Sequence, residues 1–321
     1  MFGGLAVGVP HLAGSQPADR TVRIGILRPT AAPLSPTDLM AAGIPTALRE
    51  LGYVEGRNLI IEQRWAGSDP ERLPVLAREL LLARVDVIVT VGAQATRAVL
   101  QATSTVPVVL YGNLDPVALG LVSSLARPGG NVTGVLIAPE GTLAAKWLEL
   151  LKLAVPRARR LAFLAPASDP AFRAQAQETS AAAASLGVEL MLTEVRDGDY
   201  PRAFAAIAAQ GPGGLLVGAH TYFVRDRAQI IELAARHRLP AMYEWREQVE
   251  DGGLMAYGTS LNGLYRRVAS YVDRILKGAR PGDLPLEQPT KFELAINQKT
   301  AKALGLTIPQ SLLLRADELI Q

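Results

Sequence analysis

Short runs of β-branched and aliphatic residues alternate along this chain with stretches whose apolar positions recur every three or four residues. Residues 22–27 (VRIGIL) read as a buried strand. Met40, Ile44, Leu48 and Leu51 then mark one face of a helix that begins near Thr37 and closes at Gly52. Residues 59–65 (LIIEQRW), 85–91 (VDVIVTV), 107–110 and 132–137 predict further strands, with helices at 71–82, 95–102 and 117–126. The 85–91 run is apolar with little alternation, the pattern of a strand covered on both faces. The plan then restarts, with strands at 160–164 (RLAFL), 188–195 and 214–217 and helices at 170–186, 200–209 and 225–237. A strand at 254–257, an amphipathic helix at 261–276, a Pro-rich link and a last segment at 292–297 follow.

Repeated strand–helix units argue for an α/β protein of two doubly wound, Rossmann-like lobes with mostly parallel sheets. The expected division is 21–137 plus about 258–285 for the first lobe and 138–257 plus about 286–321 for the second. Residues 1–20 are expected to be a signal-peptide remnant or a disordered extension. A chain that passes between lobes more than once makes a multi-crossing hinge, suited to opening and closing.

Composition narrows the function. With 321 residues, 49% of them hydrophobic, the chain can bury two cores and is not a disordered protein. A net charge of +3 without a dense basic run calls for neither a nucleic-acid nor an acidic-membrane partner. The absence of cysteine excludes disulfides, thiolate metal sites, a cysteine nucleophile and a cysteine-borne lipid anchor. No stretch of about 18 apolar residues is present, so no membrane-spanning helix is predicted. The apolar, Gly-rich start followed by Leu12-Ala13-Gly14-Ser15 is similar to the back half of a secretory signal. A periplasmic mature protein beginning near Gln16 is expected.

Catalytic signatures are missing. Neither a P-loop nor a G-x-G-x-x-G turn occurs, and H-E-x-x-H and G-x-S-x-G are absent as well. His11, His220 and His237 are not at metal-ligand spacing. No catalytic residue, metal or cofactor is therefore expected. In open α/β sheets, ligands bind beyond the carboxyl ends of the strands. Those ends supply the candidate ligand-binding set: Thr30, Gln94, Tyr111, Asp115, Asp169, His220, Tyr222, Tyr243, Glu244 and Tyr257. Aromatic rings there could stack on a ligand, and Asp115, Asp169 or Glu244 could meet an ammonium or hydroxyls. The competing reading is that strand-end aromatics plug the lobe edges, while Asp115 and Asp169, each before a proline, cap the following helices.

Several strings together resemble the tryptophan/tyrosine-type substrate-binding proteins of ABC transporters, close to type I periplasmic binding proteins. They are residues 48–59 (LRELGYVEGRNL), 115–117 (DPV), 125–134 (LARPGGNVTG), 252–258 (GGLMAYG), 269–278 (ASYVDRILKG) and 288–294 (QPTKFEL). The resemblance runs from about Arg23 to Ile320. It implies two lobes, a hinge, a small ligand such as an amino acid between them, and delivery to a permease, with a monomer expected. A ligand sensor for a signalling partner and an α/β enzyme using the same cleft are the alternatives. Gly43 and Pro45 depart from the pattern, because both fall inside the first predicted helix. An interior proline removes a backbone donor and costs about 3 kcal/mol, so a kink or a delayed start is expected there.

Overall fold

The computed structural model describes residues 20–33, 35, 38–67, 69–138, 143–166, 170–196 and 198–321. Five parallel strands form the first sheet: β1 (Val22–Arg28), β2 (Leu59–Trp65), β3 (Val87–Val91), β4 (Val108–Gly112) and β5 (Val132–Leu136), in the order β2-β1-β3-β4-β5. Between them run α1 (Leu39–Glu50), α2 (Leu73–Leu82) and α3 (Gly92–Ala102). β3, β4 and β5 are buried along their whole length, as parallel strands covered by helices on both faces must be.

The second sheet takes β6 (Arg160–Pro166), β7 (Glu189–Val195), β8 (Leu215–Val217), β9 (Ala241–Tyr243), β10 (Met255–Gly258), β11 (Glu293–Asn297) and β12 (Glu318–Ile320). Their order is β12-β11-β10-β9-β8-β6-β7, and only β10 and β11 pair antiparallel. Its helices are α4 (Ala144–Ala154), α5 (Pro170–Ser185), α6 (Tyr200–Gln210), α7 (Thr221–Arg225), α8 (Arg227–Arg236) and α9 (Arg246–Glu250), with α11 (Gln298–Ala303) and α12 (Gln310–Leu313) near the end. Two lobes of mostly parallel α/β structure result, as the alternating pattern predicts.

Between β10 and β11 the chain returns to the first lobe as α10 (Leu261–Leu276). Leu261, Leu264, Tyr265, Val268, Ala269, Val272 and Ile275 are buried at helical spacing, and their partners include Ile26 of β1, Ile44 of α1 and Val89 of β3. Ser260 starts this helix by accepting the Gly263 N–H at 3.1 Å. The link that follows runs beside β5, where Leu136 N–H donates to Glu287 O at 2.8 Å, before the chain goes back to β11. The connections after β5, after β10 and before β11 all pass between lobes, which makes the hinge multi-stranded.

Two local expectations change. Residues 117–126 form turns, with no helix. Asp115 O accepts the Leu119 N–H at 3.1 Å and begins a helical turn, but Gly120 at φ +66° takes the left-handed conformation and ends it. Helix α1, conversely, runs without a break through Pro45. The Pro-imposed loss is local: Ala41 O, four residues earlier, has no proline N–H to accept and instead accepts Gln63 Nε2 at 3.2 Å. Gly43 is explained by contact as well. A Cβ there would lie 2.2 Å from the Tyr265 ring, so only glycine lets α10 seat this closely on α1.

Candidate functional site

Strand β1 buries Ile24, Ile26 and then Arg28 on one face, since alternate residues share a face. The buried stripe thus ends in a guanidinium with no exposed surface. Its Nη1 donates to Gln63 Oε1 at 2.8 Å, and its Cζ lies 4.6 Å from the centre of the Trp65 ring. Nε and Nη2 have no hydrogen-bond partner among the described residues. These two donors form the side-on fork that matches both oxygens of a carboxylate. Two residues on, the buried Thr30 Oγ1 is also without a partner, and so is Asn113 Oδ1 just past β4.

The second lobe brings the complementary charge. Glu244, directly after β9, is 5% exposed, and its Oε1 has no hydrogen-bond partner among the described residues. Burial pushes its carboxyl up to about 8, with the neighbouring Trp245 indole working in the other direction. Burial likewise raises Glu247 on α9, whose Oε1 accepts the Asn262 N–H at 3.2 Å while its Oε2 is unpartnered. Thr259 Oγ1, after β10, is a further buried polar atom without a partner. Unpaired buried polar groups cost about 1–3 kcal/mol each, so this concentration, mostly at strand ends of both lobes, marks the candidate site.

The two lobes meet beside it. Trp245 and Val224 of the second lobe pack into the core cluster of the first, with Tyr111 and Tyr265. The Tyr111 and Tyr265 rings meet edge to face at 6.0 Å. Burial raises the Tyr265 phenol well above its ordinary value; Tyr111 and Glu247 add to the rise, and the Arg28 charge opposes it. One phenol therefore feels both Arg28 from the first lobe and Glu247 from the second.

Among the sequence-predicted residues, Thr30, Tyr111 and Glu244 lie buried in this region. His220 and Tyr222 are half-buried at the start of α7, where His220 Nδ1 accepts the Tyr222 N–H at 3.2 Å and the two rings sit 4.4 Å apart. Tyr257 packs against Phe292, and its carbonyl accepts the Trp147 indole N–H. Tyr243 points the other way from Glu244 and belongs to the core of the second lobe. Gln94 is exposed, and so is Asp115, whose Oδ1 accepts the Val117 and Ala118 N–H groups at 2.9 and 3.0 Å. Asp115 thus caps a turn. Asp169 lies outside the described residues.

Arg28, Gln63, Asn113, Glu247 and Thr259 were not in the predicted set. Arg28 had a signal: a charged residue continues the every-second-residue stripe of a buried strand. Among the described residues no group of His, Asp and Glu is arranged to hold a metal ion, and no helix is long and apolar enough to cross a membrane.

A model of the family described as ABC transporter substrate binding protein matches residues 32–320. The chain belongs to this family. A similar substrate-binding relative is the tyrosine-binding protein of Clostridioides difficile (strain R20291), 24% identical over 270 residues, covering 84% of this chain and 77% of that protein. The crystal structure of a conserved domain protein from Vibrio cholerae superposes with a TM-score of 0.79 at 25% identity, covering 94% of this chain and all of that one. An ABC domain from Streptococcus pneumonia, solved in complex with L-Trp, gives 0.77 at 25% identity over 92% of this substrate-binding chain and all of that one. The first of these is named for tyrosine binding and the third was solved with L-Trp bound, and the two solved structures share the two-lobed fold described above.

Proposed function

We propose that the chain is the periplasmic receptor of an ABC uptake system, closing its lobes over an L-amino acid with an aromatic side chain and delivering it to a permease. One observation carries the reading. A fully buried Arg28 with its carboxylate-matching fork free stands on one lobe, and a buried Glu244 with a free carboxylate oxygen stands on the other. An α-carboxylate satisfies the first and an α-ammonium the second, so a zwitterion offsets both desolvated charges at once. The rings of Tyr111, Tyr265 and Trp245 nearby, and relatives named for tyrosine or solved with L-Trp, support an aromatic side chain. Because the polar contacts come from both lobes, a donor from one and an acceptor from the other, the ligand binds the closed form better than the open one and shifts the population toward closure. The closed pair of lobes is then the surface that the permease reads. Binding without chemical change is the proposed role.

Thermal denaturation against the proteinogenic L-amino acids and tyramine tests this. L-tyrosine or L-tryptophan at about 100 times Kd should add about 2.7 kcal/mol of stability and raise Tm by several degrees. Tyramine, which has the ring and ammonium but no carboxylate, should shift Tm far less. A panel in which no amino acid raises Tm overturns the reading.

A further inference from the structure

Pro45 and Arg28 lie on different elements, yet one side chain joins them. Proline at position 45 leaves Ala41 O without its i+4 donor, and Gln63 Nε2 donates to that carbonyl at 3.2 Å. The other end of the same amide, Gln63 Oε1, accepts Arg28 Nη1 at 2.8 Å. The orientation of the amide is forced, because a carbonyl can only accept and a guanidinium can only donate. Gln63 and Trp65 project from the same face of β2, and β1 and β2 are paired with Arg28 opposite Trp65. Trp65 thus covers a face of the guanidinium 4.6 Å from its ring centre while Gln63 holds one edge. What remains free is the Nε–Nη2 edge.

We propose that Gln63 is a positioning residue that aims the Arg28 fork at the ligand carboxylate, anchored by the helix carbonyl that Pro45 releases. The proposal rests on the amino-acid reading for its ligand, but the relay itself is a property of the unliganded protein. Arginine has long, rotatable torsions, and a buried guanidinium held at one edge and one face arrives at the carboxylate already ordered. Ordering that would otherwise be lost on binding is done during folding. The interior proline, costly for a helix, then has a function: it keeps one carbonyl of α1 available to a side chain of β2.

The test compares L-tyrosine with tyramine by titration calorimetry in the wild type, Gln63→Ala and Pro45→Ala. The ratio of the two affinities isolates the carboxylate contact, and a general loosening of the fold lowers both affinities without changing that ratio. Gln63→Ala should reduce the ratio at least tenfold. Pro45→Ala should raise Tm, since the helix regains an N–H for Ala41 O, and should still reduce the ratio severalfold. An unchanged ratio in Gln63→Ala, or equal losses for both compounds, overturns the proposal; an unchanged ratio in Pro45→Ala removes Pro45 from the relay. Should the wild type bind neither compound, the amino-acid reading fails while the relay is still decided by ¹⁵N NMR of the unliganded protein. Hindered rotation about the Arg28 Nε–Cζ bond that is lost in Gln63→Ala supports the relay, and rotation equal in both proteins overturns it.

Discussion

Arg227 Nη1 donates to Asp38 Oδ2 at 2.9 Å and so ties α8 of the second lobe to the first turn of α1 in the first. The same guanidinium donates through Nε to Asp251 at 2.7 Å, which fixes it from its own lobe. Asp38 has a second task, since its Oδ1 caps α1 by accepting the Met40 N–H at 2.9 Å. This ion pair exists only while the lobes are together, and both side chains are mostly buried. It therefore ties the two lobes together, in contrast to the exposed pairs scattered over the surface, which contribute little.

Asp38→Asn keeps an oxygen for the helix cap and removes the charge that meets Arg227. The closed form should lose about 1–2 kcal/mol relative to the open one, and L-tyrosine should bind roughly five- to thirtyfold more weakly. Small-angle scattering of the unliganded variant should show a larger radius of gyration than the wild type. Equal radii and equal affinity would show that the pair does not hold the lobes together.

Arg28→Met preserves length and apolar stem but deletes an incompletely paired buried charge. Removing such a charge is often neutral or stabilising, so the unliganded Tm should be unchanged or higher. Affinity for L-tyrosine should fall by about 3 kcal/mol, more than a hundredfold, because a bidentate charge-assisted contact is lost. A stable variant that still binds L-tyrosine with wild-type affinity would place the carboxylate elsewhere.

Glu244 gives the protein a pH dependence with a definite sign. Its folded-state value, about 8, lies above its ordinary value of 4.5. As pH rises from 4.5 the unfolded chain sheds this proton first, so the contribution to stability is full below 4.5, declines through the window and is gone above about 8. The unliganded wild type should lose stability between pH 5 and pH 8.5, and Glu244→Gln should flatten that slope. Binding an ammonium requires the ionised carboxylate, so L-tyrosine binding near pH 6.5 should release a proton. Calorimetry in buffers of different ionisation enthalpy measures this, and Glu244→Gln should abolish the release.

Gly43→Ala places a methyl 2.2 Å from two Tyr265 ring carbons. Alanine is the better helix former by about 1 kcal/mol, but overpacking at a helix contact costs about 1–3 kcal/mol, so the net effect is destabilising. Chemical denaturation should show a lower midpoint. Since Tyr265 packs edge-on to Tyr111, L-tyrosine affinity should fall with it. A more stable Gly43→Ala variant would mean that α10 can move away from α1 at little cost.

The sequence by itself determined the repeating strand–helix plan, the two lobes of mostly parallel sheet, and the boundaries of elements such as α10, predicted at 261–276 and observed there. These are legible because apolar periodicity is a property of neighbouring residues: a buried strand or an amphipathic helix states its own pattern over five to sixteen positions. Glu244, Thr30 and Tyr111 were proposed as candidates by the same logic, since strand ends can be counted along the chain. Only the tertiary structure decided which of those ends carry unpaired buried groups. It set Tyr243 into the core while its neighbour Glu244 was left without a partner, and it made Asp115 a turn cap on the surface. It also joined Pro45 to Arg28 through Gln63, and Asp38 to Arg227 across the lobes. Hydrogen-bond satisfaction depends on partners tens to hundreds of residues away in the chain, so no local pattern can report it, and the choice between a structural and a binding polar group is made only when the lobes meet.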